Sequence, residues 1–179
     1  MITLSTPGAI SQLAAIKASM LDGGSVDLYT NNLRPGPGSQ IGDFQIANWA
    51  GYTPRATGTW PGPYVNNQGG AWCFITLAPW FGPGSGGGQA AYGFLLRSAG
   101  GVLVAAGAFG GGPVPMAGAS SMLLLTLRYS LGPTPAGKVE VFTTGGGAGP
   151  LGPTNATVIV SNTGAWLTTG AGTPLVTGR

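Results

Sequence analysis

Hydrophobic positions along the chain follow two different periods. Ile10, Leu13, Ala14, Met20 and Leu21 recur at helical spacing, with Gln12 and Lys17 on other faces. Pro7 suits the first turn and Gly23-Gly24 is a natural stop. The spacing predicts one N-terminal helix lying over a sheet with one face buried. After Gly24 the period becomes two. Val26-Asp27-Leu28-Tyr29-Thr30 reads as a strand, and Asn31-Asn32-Leu33-Arg34-Pro35-Gly36-Pro37-Gly38 as a loop in which proline blocks pairing. Phe44, Ile46 and Trp49 fall in a short extended or irregular piece.

Cys73-Phe74-Ile75-Thr76-Leu77 predicts another strand. Tyr92, Phe94 and Leu96 alternate with Gly93, Leu95 and Arg97. The run 102–109 follows after Gly100-Gly101, so the two predict a hairpin. The clearest alternation sets Leu123, Leu125, Leu127, Tyr129 and Leu131 on one face. Met122, Leu124, Thr126, Arg128 and Ser130 fall on the other. Val139-Glu140-Val141-Phe142 and Thr157-Val158-Ile159-Val160 add two more strand candidates. Short strands separated by Gly/Pro turns indicate a mainly β chain, a β-sandwich or jelly-roll-like domain with one N-terminal helix. Composition shifts near Gly132, where bulky residues thin out and Gly, Thr and Pro dominate. The expected organisation is a helical segment at 1–24, a β core at 25–131 and an extended Gly/Pro-rich C-terminal arm at 132–179. That arm carries short strands and is ordered mostly by neighbours.

Composition narrows the chemistry. Of 179 residues, 35 are glycine and 15 proline, more than a quarter of the chain, yet 43% are hydrophobic, enough for one packed core. Only 6% are charged, against about 25% in an ordinary soluble domain. The net charge of +3 comes from scattered Lys and Arg residues without a basic run, which argues against nucleic-acid binding. So little charge repulsion suits a surface that ends up covered by neighbours. No stretch reaches the roughly 18 apolar residues of a membrane helix, and the start lacks a signal-peptide pattern. A soluble protein made in a cytoplasm is expected, and Asn155-Ala156-Thr157 is read as a chance glycosylation triplet.

With no histidine, imidazole catalysis and imidazole metal ligation are excluded. The one cysteine, Cys73, sits in an apolar strand as a small hydrophobe, with no base to activate it. The four acids, Asp22, Asp27, Asp43 and Glu140, show no dyad spacing. Gly82-Pro83-Gly84-Ser85-Gly86-Gly87-Gly88 lacks the Gly-Lys-Ser/Thr ending and the following helix of a phosphate loop, and reads as a turn. No catalytic residue, cofactor site or metal site is expected, and the chain reads as a non-enzyme. The remaining feature is aromatic. Trp49, Tyr52, Trp60, Tyr64, Trp72 and Trp80 cluster among Pro, Gly and the amides Asn66, Asn67 and Gln68. They can serve as core, as subunit contact or as a glycan-stacking surface. The candidate contact surface is Trp49, Tyr52, Trp60, Tyr64, Trp80 and, in the arm, Trp166.

An ordered series of short motifs runs through residues 9–131. After the helix and first strand comes Tyr29-Thr30-Asn31-Asn32-Leu33-Arg34-Pro35, then Gly42-Asp43-Phe44, Ala47, Gly51-Tyr52, Pro54 and Trp60. Tyr92-Gly93-Phe94, Gly101-Val102-Leu103, Ala106-Gly107-Ala108-Phe109, Pro113-Val114-Pro115-Met116 and residues 123–131 complete it. This order resembles small structural proteins of tailed bacteriophages and prophages. In that group an L-F-x-N-N-x-T-P strand and loop precedes D-F-x-x-A-x-x-x-G-Y, a Y-G-Y strand, G-x-L-x-A-x-x-F and a P-x-x-M turn. This chain departs in Arg34, where threonine is common before the proline, and in its Gly/Pro-rich arm. The resemblance implies a non-enzymatic, β-rich virion protein. The expectation is a capsid decoration or cement protein, a homo-oligomer bound to the major capsid protein or other virion subunits. The alternatives are a glycan-binding host-recognition module of a head or tail fibre, and a minor tail or connector component.

Overall fold

The computed structural model describes residues 5–65, 70–84 and 87–131, together with the backbone of the strands at 137–146, 156–161, 164–168 and 174–175. The chain is mainly β, with three antiparallel sheets and one N-terminal helix.

Helix α1 spans Thr6–Ile16, with Pro7 in its first turn and the Ser5 hydroxyl accepting the Gly8 N–H at 3.3 Å. The chain then widens into a π turn at Lys17–Leu21, closed by the Asp22 N–H donating to the Lys17 carbonyl at 2.8 Å. This turn changes which residue reaches the core. In an unbroken α-helix, Met20 would share the face of Leu13, seven residues earlier. The extra residue in the wide turn delays the rotation, so Leu21 takes that place. Leu21 is fully buried, whereas Met20, expected on the apolar stripe, is 48% exposed.

The first sheet has four strands: β1 (Ser25–Tyr29), β2 (Arg55–Ala56), β7 (Gly93–Arg97) and β8 (Leu103–Ala108), in the order β2-β1-β7-β8. The predicted hairpin is β7–β8, turned through Ser98 and Gly101. Gly24 enters β1 where a Cβ atom would run into the Arg97 carbonyl oxygen.

The second sheet has eight strands: β3 (Tyr64–Val65), β4 (Ala71–Thr76), β5 (Trp80–Phe81), β10 (Met122–Leu131), β11 (Gly137–Gly146), β12 (Ala156–Ser161), β13 (Gly164–Thr168) and β14 (Pro174–Leu175). Its order is β14-β13-β12-β11-β10-β4-β3, and β5 pairs with the start of β10. One margin of β10 is thus shared, with β4 taking Thr126 to Leu131 and β5 taking Met122 and Leu123. The other margin pairs with β11 along its whole length. The boundary expected at residue 132 falls at the end of β10, and the four strands beyond it continue the ladder. A small third sheet joins β6 (Gln89–Ala91) to β9 (Val114–Met116).

The core lies where α1, the four-stranded sheet and one face of β4 and β10 meet. Leu123, Leu125, Leu127 and Leu131 share a single buried cluster with Leu13, Leu21, Val26, Leu28, Phe94, Leu96, Trp60 and Cys73. Alternation along β10 therefore sorts inward from outward residues as the sequence pattern predicts, apart from the half-buried Tyr129 near its end. Leu125→Ala removes a side chain with no exposed surface from the middle of this strand. We expect it to cost about 2–5 kcal/mol, read as a lowered midpoint in chemical denaturation.

Candidate contact surface

The outward face of the eight-stranded sheet is built by strand register. Residues directly opposite one another in an antiparallel ladder share a face. Tyr64 lies opposite Trp72, Trp72 opposite Ser130, Phe74 opposite Arg128 and Thr76 opposite Thr126. At the far end of β10, Met122 lies opposite Phe81. Burial of Cys73 and Leu123 on the core side fixes Trp72, Phe74, Met122 and Leu124 on the outer side.

Three rings on this face brace each other. The Tyr64 and Trp72 ring centres are 4.8 Å apart, Trp72 and Phe74 5.5 Å, and Tyr64 and Phe74 5.9 Å. The Arg128 guanidinium lies over the Trp72 ring, 5.9 Å from its centre. Burial pushes the Arg128 pKa down from its ordinary value, though the group stays cationic. Next along the ladder, the Thr76 and Thr126 hydroxyls hydrogen-bond at 2.9 Å. Tyr64 is 41% exposed and Phe81 53%, while Trp72, Phe74, Met122 and Leu124 are half-buried. A rigid sheet thus presents aromatic and aliphatic surface with little rotamer freedom left to lose on contact.

The six aromatic residues expected on a contact surface separate into different environments. Trp49, Trp60 and Trp80 are buried, so these three are core rather than surface; their area is best removed from water in a chain with few other large side chains. The Trp49 indole donates to the Phe81 carbonyl at 2.9 Å and the Trp80 indole to the Thr53 carbonyl at 3.0 Å. Tyr52 is half-buried, its ring 4.9 Å from Trp49. Among the five whose side chains are described, only Tyr64 stands on the exposed face. The side chain of Trp166 and residues Asn66, Asn67, Gln68, Ser85 and Asn155 lie outside the described residues. Sequence reasoning missed Phe74 and Phe81 as surface, whereas it set Arg128 on the outer face opposite the leucines, where the structure has it. The signal for the missed two was the alternation about Cys73 and Phe81's position next to a buried tryptophan.

The three described carboxylates all have structural partners. Asp22 accepts from Lys17 Nζ at 2.7 Å and from the Trp60 N–H at 2.8 Å, pinning the end of the π turn to the loop before β3. Asp43 accepts the Gln40 N–H at 2.8 Å in a capping box. Asp27, fully buried in β1, pairs with the Arg97 guanidinium, and Tyr52 Oη donates to its other oxygen at 3.3 Å. That same Tyr52 oxygen accepts the Leu28 N–H at 2.8 Å. Burial raises the Tyr52 hydroxyl far above its ordinary pKa, and the Asp27 charge adds to the shift. Burial likewise pushes the Cys73 thiol up to about 12.

Among the described residues, no group of three or more Cys, Asp or Glu side chains could hold a metal, and no helix is long and apolar enough to cross a membrane. Comparison with protein-family models, curated proteins and solved structures finds no match to this chain.

Two outcomes follow from these environments. Arg97→Met leaves the Asp27 carboxylate buried without its cation and should cost about 3 kcal/mol, measured by urea denaturation. Cys73 and the buried tyrosines hold their protons more tightly in the fold than in the unfolded chain. The thiol's contribution to stability is complete below its unfolded value of 9.0 and is lost as pH climbs toward 12, while that of the tyrosines begins to fall only above their unfolded value of 10.0. We expect the unfolding midpoint to fall through that window, and Cys73 to resist a thiol reagent at pH 8 until denaturant is added.

Proposed function

We propose that this chain is a non-enzymatic structural protein of a tailed-bacteriophage virion, a decoration or cement subunit that strengthens the shell by contact. The observation that carries this reading is the outer face of the eight-stranded sheet. There Tyr64, Trp72, Phe74, Leu124, Met122 and Phe81 offer apolar surface on rigid strands. The ordered motifs of residues 9–131 that resemble phage structural proteins support it. So does the low charge, which puts few desolvation penalties in the way of a broad contact. The described carboxylates hold the fold together, which favours binding over turnover.

The finer architecture belongs to the same reading. The four-stranded and eight-stranded sheets form the two layers of a jelly-roll-like sandwich, supported by the cluster that Val26, Leu28, Phe94 and Leu96 share with Ala71, Cys73, Leu125 and Leu127. Residues 132–179 act as a C-terminal extension whose strands continue the sheet from β10 and reach toward neighbouring subunits. On assembly the protein belongs to the virion, among copies of itself and the major capsid protein. A glycan-binding fibre module is the weaker reading, because Trp72 is already hemmed in by Tyr64, Phe74 and the Arg128 guanidinium.

Phe81→Ser changes an exposed side chain and should leave the unfolding midpoint nearly unchanged, whereas Tyr64→Ser also breaks its ring contacts with Trp72 and Phe74 and should cost about 1 kcal/mol. Each is expected to weaken binding of the purified protein to stripped capsids by about tenfold, read in a co-sedimentation titration. Full binding by the double variant rules this face out as the contact.

A further inference from the structure

Two adjacent apolar residues, Met20 and Leu21, end the helical segment, and the core takes only one of them. Leu21 is fully buried and Met20 is 48% exposed. Their side chains are close in volume, and an exchange of Leu and Met is among the best tolerated in a packed core. Winding decides between them. Ala9 and Leu13 are buried one turn apart, and α spacing continues that stripe to Met20. The π turn at Lys17–Leu21 carries it to Leu21 instead.

The contacts that hold the wide turn belong to its spacing. In an α-helix, residues five apart lie about 140° apart around the axis, so their side chains do not meet. In a π turn the fifth residue stacks over the first. The Asp22 N–H accordingly donates to the Lys17 carbonyl at 2.8 Å, and the Lys17 ammonium donates to Asp22 Oδ2 at 2.7 Å. Within the helix, the Ser19 hydroxyl donates to the Ala15 carbonyl at 2.8 Å, a side-chain insertion of the kind that opens a helical ladder. From outside, the Trp60 N–H donates to Asp22 Oδ1 and the Thr57 hydroxyl to the Leu21 carbonyl, both at 2.8 Å. The Gly23 N–H donates to the Gly58 carbonyl at 2.7 Å. Asp22 joins the two sets, with its N–H and one oxygen on Lys17 and its other oxygen on the Trp60 loop.

We propose that residues 17–22 are a register latch for the helical segment. With Asp22 engaged, the π turn seats Leu21 in the core. With Asp22 released, the turn rewinds to α spacing by one residue, Met20 takes the buried place and Leu21 passes into the link to β1. Gly23 lets that link absorb the extra residue: its φ is 68°, and a Cβ there would meet nothing nearer than the Ala99 Cβ at 3.7 Å. The slip also withdraws the Leu21 carbonyl from Thr57 and Asp22 from Trp60, so helix register and the loop leading to Tyr64 change together. The latch is a property of the fold and would stand even if the protein were absent from phage particles.

Peroxide oxidation of the full chain, followed residue by residue by mass spectrometry, tests it. In the wild type Met20 is expected to react as an exposed methionine and the fully buried Met116 to resist. Asp22→Ala should slow Met20 oxidation about tenfold, the opposite of what mere loosening of the turn would do. A second measurement serves if Asp22→Ala does not fold. Met20→Ser alone should leave the denaturation midpoint nearly unchanged. In Leu21→Ala, Met20 slips into the vacated place, so adding Met20→Ser there should lower the midpoint well below that of Leu21→Ala alone. Met20 that oxidises as fast in a folded Asp22→Ala variant as in the wild type overturns the proposal. So does a Met20→Ser change that is equally harmless in both backgrounds.

Discussion

Burial of one row of leucines on β10 is the constraint on which the rest depends. Leu123, Leu125, Leu127 and Leu131 form the floor on which α1, β1, β7 and Trp60 gather. A chain with 35 glycines has few other bulky side chains with which to exclude water. The three tryptophans Trp49, Trp60 and Trp80 are drawn into the interior for the same reason. Period-two alternation then sets the opposite face. What β10 and β4 cannot bury, they must present. The outer face with the half-buried Phe74, Leu124 and Met122 is a geometric consequence of the inward leucines.

Polar chemistry in the described part of the molecule secures this arrangement. Asp22 links the end of the helical segment to the Trp60 loop, and Asp27 ties β1 to β7 through Arg97 while Tyr52 caps the remaining oxygen. A buried ion pair is a poor source of net stability, since desolvation offsets much of the attraction. It does penalise any strand register that would leave Asp27 unpaired. In a sheet with several glycines and alanines, where side-chain size specifies register weakly, that penalty helps to hold β1 and β7 in a single alignment.

The legible parts of the sequence were those in which one physical signal dominated. The helix start, the β7–β8 hairpin and the two faces of β10 followed from Pro7 in the first turn, glycine turns and alternation. Less legible were features set by tertiary context. Nothing local in Lys17-Ala18-Ser19-Met20-Leu21 announces a π turn, and helical periodicity brought Met20 to the face that Leu21 occupies. Asp27 in a strand pattern suggests a solvent-facing position, and its burial depends on Arg97, seventy residues away. The aromatic cluster was visible as composition, but its division into core and surface required the register of β3, β4 and β5. Phe81 shows this best, turned out because its neighbour Trp80 is turned in.

The central claim is that this protein works by lying fixed against other subunits. The most direct measurement of that proposal is the location and stoichiometry of the chain in purified phage particles from cells that produce it, by electron cryo-microscopy with quantitative mass spectrometry. The account predicts density for it at regular sites on the shell, in a constant ratio to the major capsid protein, with the Tyr64–Trp72–Phe74 face turned toward a neighbour. Particles that contain none of it, or that hold it with this face open to solvent, would contradict the account.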